Sequence, residues 1–152
     1  MPVIRKSDVS LEYPTSAHIA RGFGEFTAKL YSDDGGLTQF GAFVEVLPPG
    51  SRSGNAHWHE HEDEFIYVLE GTLRVCEGDL EHDLLPGDAA AFRANHPVGH
   101  FLKNVSSHDV SYLVVGTRAE RDVVHLTDED GVLHRTGKTR VWTDTKGQTI
   151  DR

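Results

Sequence analysis

One cysteine, one methionine and no apolar run longer than five residues define what this 152-residue chain lacks. With Cys76 alone, no intrachain disulfide can form, and a reducing cytoplasm is the expected compartment. The longest apolar stretches, Phe65–Leu69 and Tyr112–Val115, are too short to span a bilayer, so no membrane partner is expected. The opening decapeptide MPVIRKSDVS has no apolar core, which predicts no secretory leader. Basic residues are also scarce: 15 Lys and Arg against 24 Asp and Glu give a formal charge of −9. Phosphate backbones are held by a basic face, so a nucleic-acid partner is excluded on charge. No segment sustains a helical period, although residues 7–20 have room for a turn or two, and neither repeats nor low-complexity tracts occur.

What remains is the punctuation of an all-β protein. Short runs rich in Val, Phe and Tyr alternate with turn residues at the spacing of a sandwich or barrel. The predicted strands are 24–31, 38–47, 56–59, 64–69, 73–77, 80–84, 89–92, 99–104 and 110–116. Between them stand Asp-Asp-Gly-Gly (33–36), Pro-Pro-Gly (48–50), Gly71, Gly-Asp (78–79), Pro-Gly-Asp (86–88) and Asn-His-Pro (95–97). Phe65-Ile66-Tyr67-Val68-Leu69 is apolar at both parities, so that strand is expected to be covered inside and outside. The organisation read from this is an arm at residues 1–22, a barrel at 23–117 and an extension at 118–152. The extension is rich in Thr, Asp, Gly and Lys and carries the turn Asp130-Gly131. It is expected to dock on the barrel or on a second subunit, with His125 and His134 in solvent.

Within the barrel segment lies a cluster with metal-ligand chemistry. His57-Trp58-His59 puts two imidazoles on one side of a strand, because side chains repeat every two residues. Glu64 follows after four residues. Imidazole with carboxylate suits Fe, Mn, Ni, Cu or Zn better than Mg or Ca. Parity opposes a flat arrangement, since Glu64 would face the other way on an unbroken strand. The three converge only if the chain turns between Glu60 and Asp63. A fourth donor must come from elsewhere, and His100 heads a later strand. His61 shares parity with His57 and His59 but falls in the proposed turn, and Asp63 is an alternative to Glu64. The same parity points Trp58 away from the cluster. Glu60, Glu62, Asp63 and Glu64 crowded beside imidazoles repel one another, a cost that a divalent cation offsets.

Taken with Gly71, His100 and Asn104, this spacing resembles the cupin superfamily, small double-stranded β-helices with two metal-binding motifs. His57-x-His59, four residues, Glu64, six residues and Gly71 match the first motif, with Gly50 one residue further upstream than usual. Gly87, His100 and Asn104 match the second, although Arg93 and Asn95 stand where Pro and Gly are usual and the loop before His100 is two residues longer. The resemblance is to single-domain bacterial cupins, some loosely grouped as sugar-phosphate-isomerase-like. It implies a cupin-type barrel, often paired as a homodimer, and one divalent transition metal ion (Zn, Fe, Mn or Ni) held by His57, His59, Glu64 and His100. Such a site keeps open coordination positions, the mark of a catalytic rather than a structural centre. The expected function is isomerisation or epimerisation of a small oxygenated substrate such as a sugar or sugar phosphate. The alternatives are an Fe-dependent dioxygenase acting on an enol or diketone, and a non-catalytic binder of a small ligand. Arg93 and His96, in the second-motif loop, are the candidate substrate contacts. Tyr67, Tyr112 and Glu45 are the titratable groups that would separate an enzyme from a binder if they line the site.

Overall fold

The computed structural model describes residues 3–152. Thirteen strands and two helical turns follow one another along the described chain. The arm contributes Leu11–Glu12 (β1) and the single turn Ser16–Ala20 (α1), and Thr27–Lys29 (β2) opens the barrel segment. Thr15 caps α1 by accepting a hydrogen bond from the His18 amide. The turn Tyr31–Asp34 (α2) follows, so the strand expected over 24–31 shrinks to three residues. Asp33 and Asp34 of the expected turn end this helix, and Gly35 and Gly36 follow as a turn.

The barrel strands are Phe40–Leu47 (β3), His57–His59 (β4), Glu64–Glu70 (β5), Leu73–Glu77 (β6), Leu80–Leu84 (β7), Ala89–Phe92 (β8), His100–Lys103 (β9) and Val110–Thr117 (β10). The extension adds Arg121–Leu126 (β11), Val132–Thr136 (β12) and Thr139–Thr143 (β13). They form two sheets, in the orders β1-β2-β3-β10-β5-β8 and β13-β12-β11-β4-β9-β6-β7. Residues 121–143 are therefore three strands of the second sheet, with β11 paired directly to β4.

Between the sheets lies a core of Leu47, Ile66, Val68, Leu73, Val75, Leu102, Val110, Tyr112 and Val114. Alternation sends these side chains inward, and each large one removed from water is worth roughly 1.5–3 kcal/mol. Two motif residues hold the frame. Gly71 has φ of +79°, and a Cβ there would lie 2.7 Å from the Asp109 carbonyl oxygen. Asn104, 1% exposed, donates to the carbonyls of Leu47 and His108 and accepts from the Ser106 amide, tying the end of β3 to the loop between β9 and β10. Buried Cys76 sits in β6 as a small apolar residue.

Expectation and structure part on the outer face of β5. Ile66 and Val68 are buried, but Phe65, Tyr67 and Leu69 are 41%, 39% and 41% exposed. The inner parity alone is covered within one chain. No helix is long and apolar enough to cross a membrane.

Candidate metal centre

His57 and His59 lie on β4, one sheet away from Glu64 on β5, and the chain bends at Glu60-His61 to change sheets. That bend resolves the parity conflict. His100 opens β9 directly across the ladder from His57. The consequence is convergence on one atom. Glu64 Oε2 lies 3.7 Å from His57 Nε2, 3.6 Å from His59 Nε2 and 2.6 Å from His100 Nε2.

The orientation of each ring has a cause. His57 Nδ1 donates to the Asn55 carbonyl at 2.9 Å, and His59 Nδ1 donates to Asp122 Oδ2 at 2.6 Å. Both acceptors require the proton on Nδ1, which leaves the Nε2 lone pairs aimed at Glu64. The His100 ring stacks on Phe92 at 3.7 Å with an interplanar angle of 3°. Asp122 has no side-chain exposure and also accepts from the His61 amide at 3.0 Å.

Electrostatics favour a bound cation. Burial lowers His57 below the ordinary imidazole value, outweighing the pull of Glu64, so the ring is neutral and able to ligate near pH 7. Burial alone would raise Glu64, but the His100 hydrogen bond and the three imidazoles hold it down to about 2. The donor set therefore fits the implied metal: three imidazole nitrogens and one carboxylate, spaced as neighbouring donors on an ion with bonds of roughly 2 Å. His57, His59 and Glu64 also have ligand atoms all within 4.8 Å of one another.

The two distractors fall away. His61 keeps 53% side-chain exposure. Asp63 Oδ1 is taken by the Ala94 amide at 2.7 Å. Trp58, on the opposite face of β4, stacks on His125, whose Nε2 meets Glu60 Oε1 at 2.7 Å. His125 is thus packed rather than solvated, while His134 stays exposed beside Thr143.

Glu64 borders two cavities. The larger, about 730 Å³, is lined by Phe40, Phe65, Phe92, Arg93, His96 and His100. Arg93 and His96 thus share a cavity with two of the candidate ligands, and His96 Nε2 lies 3.6 Å from Glu77 Oε1. The smaller, about 300 Å³, is lined by His59, Glu62, Gly41, Gly116 and three arginines, Arg118, Arg135 and Arg140. Of the other titratable candidates, Tyr67 faces outward, while Tyr112 donates to Glu45 in the buried core.

Sequence reasoning missed Asp122 and the arginines. Asp122 sits at the inward parity of a strand that carries Val124, a mild anomaly. Nothing local says that this strand pairs with the one bearing His59.

A family model described as a cupin domain matches residues 43–116. The solved structure of a Silicibacter pomeroyi protein, described as a sugar phosphate isomerase from a cupin superfamily, is 30% identical with a TM-score of 0.88. That match covers 99% of this chain and 97% of the other. A structure from Acidithiobacillus ferrooxidans shares the fold at 23% identity and a TM-score of 0.85, over 99% of this chain and 96% of that one. Protein SchB of Streptomyces halstedii is 28% identical over 109 residues, 70% of this chain and 77% of SchB.

Proposed function

The chain belongs to the cupin superfamily, and from that premise we propose that it is a metal-dependent isomerase or epimerase of a sugar or sugar phosphate. The observation that carries this reading is the aim of three Nε2 atoms at one oxygen of Glu64, with two of the rings already locked from behind. Full-length likeness to the Silicibacter pomeroyi protein supports the reaction class. A divalent first-row ion held by His57, His59, Glu64 and His100 supplies Lewis acidity toward a carbonyl or hydroxyl of the substrate.

The remaining work falls to the chain. Asn55 and Asp122 keep the His57 and His59 rings from swinging away. Phe92, stacked on His100, gives the larger cavity an apolar wall beside the candidate ligands. Glu77 lies opposite His100 in the β6–β9 ladder and beside His96. This carboxylate–imidazole pair is the one that takes a proton from a substrate carbon and returns it to the neighbouring position.

The test is elemental analysis of protein purified without chelator, followed by incubation with sugar phosphates in deuterated water. Deuterium entering the substrate without oxygen uptake is the expected result. Oxygen uptake with an enol substrate, or metal-replete protein that exchanges no proton with any sugar phosphate, overturns the proposal.

A further inference from the structure

Arg135 and Arg140 stand directly opposite each other on the β12–β13 ladder. Like charges at paired positions weaken a sheet, so their juxtaposition calls for a compensating negative group. Arg135 has one: its Nη2 meets Glu62 Oε1 and approaches Asp122 Oδ2 at 3.9 Å. Arg140 makes no ion pair or side-chain hydrogen bond among the described residues, and it lines the same 300 Å³ cavity.

The ladder fixes which way they face. Asp122 pairs with Arg135, and Val124, two residues on, pairs with both His59 and Leu133. The Asp122–Arg135–Arg140 row therefore shares the inner face of the sheet with His59. Arg118 enters from the opposite side, anchored by the Leu37 carbonyl at 2.8 Å and by Asp33. Its guanidinium packs where residue 41 has no side chain, since a Cβ there would lie 3.3 Å from Arg118 Nε. Gly41 pairs with Gly116, and Gly116 with Glu64, so two glycines side by side hollow the wall next to the candidate ligand. The cavity thus runs from ligand side chains at one end to guanidinium groups at the other.

Arg140 is exposed where it borders this cavity, so its guanidinium is open to an anion arriving from solution. We propose that Arg140, with Arg135 beside it, binds the oxyanion end of the substrate, a phosphate monoester or a carboxylate, while the oxygenated remainder reaches toward His59 and Glu64. The guanidinium fork suits two oxygens of such a group. The identity of the far end rests on the isomerase reading; the anion subsite does not.

Calorimetric titration with ribose 5-phosphate, ribonate and ribose tests it, on metal-loaded and chelator-treated protein in parallel. Binding of the charged sugars is expected to weaken about ten- to a hundredfold in Arg140→Ala. In Arg140→Lys, which keeps charge but loses the fork, the loss is expected to be smaller. Ribose affinity and metal content are expected to stay unchanged in both. A tighter ribose 5-phosphate assigns a phosphate site, and a tighter ribonate a carboxylate site; either supports the subsite. Unchanged affinity in Arg140→Ala, loss in Arg93→Ala instead, or loss of all anion binding on chelation overturns it. Arg140-dependent binding without any proton exchange leaves the subsite standing and removes the isomerase reading.

Discussion

Glu64 and Glu45 enter the interior of the barrel from the two strands that flank β10, and their ionisation is driven in opposite directions. Glu64 pairs with Gly116 and Glu45 with Tyr112, four residues apart along one strand, or roughly 13 Å. Both are removed from water. Burial lifts Glu45 to about 7, opposed by a single hydrogen bond from Tyr112. Three imidazoles hold Glu64 at about 2 despite its burial. The same side chain is an acid at one level of the barrel and an anion at another because its company differs. A carboxylate ringed by imidazole nitrogens is what a metal ion binds; a lone carboxyl pushed up by burial is not.

Breaking the imidazole ring has the largest expected effect. His57→Ala, His59→Ala and His100→Ala each lose most of the bound metal on elemental analysis, while His61→Ala keeps it. Because the folded state alone presents this donor set, the three variants also lose the rise in melting temperature that metal gives the native protein. Metal content that follows His61 and ignores His100 would reverse the assignment.

The second effect tests the other carboxylate. Glu45 has a folded pKa above its unfolded one, so its contribution to stability is full below pH 4.5 and is lost as pH rises through about 7. In metal-free protein Glu64 behaves in the opposite sense, its contribution present above pH 4.5 and lost as pH falls toward about 2. Glu45→Gln is expected to gain on the native protein between pH 5 and pH 8 by on the order of 3 kcal/mol, read from urea denaturation. Parallel curves for the two proteins across that window would mean that Glu45 stays ionised.

Third comes Asp122→Asn. An amide at that position no longer draws the His59 Nδ1 proton as strongly, and supporting groups of this kind cost roughly 10- to 100-fold in metal affinity. Competition with a chromogenic chelator measures it. The smallest expected change is Tyr112→Phe, which removes the one hydrogen bond opposing the upward shift of Glu45. The decline in stability still begins near pH 4.5 but continues to a higher pH, and the neutral protein loses about 1 kcal/mol.

How much of this was legible in the sequence follows the range of the interactions. Strands 73–77, 80–84 and 89–92 are where alternation and turn residues put them, because each is bounded by its own punctuation. The four candidate ligands were legible because their spacing is local to two short motifs. Asp122, Arg135 and Arg140 were not. Their roles depend on β11 lying against β4 with Val124 opposite His59, a register set across the whole barrel that no periodicity encodes. The outer face of β5 misled for a related reason. Alternation reports that Phe65, Tyr67 and Leu69 are apolar, yet the described residues leave all three exposed.

The candidate donors are divided unequally between the sheets: His57, His59 and His100 belong to one, and Glu64 to the other. An ion at this point is a clasp across the two halves of the shell. Without it, the direct tie there is the hydrogen bond between His100 and Glu64, whereas the far end is shut by Leu47, Leu73, Val110 and the loops knotted at Asn104. Loss of such an ion is expected to loosen the shell first at the end that holds the candidate ligands. Amide protons of β4, β5 and β11 are the ones whose exchange with solvent slows when the clasp closes, while those of β6 keep their pace.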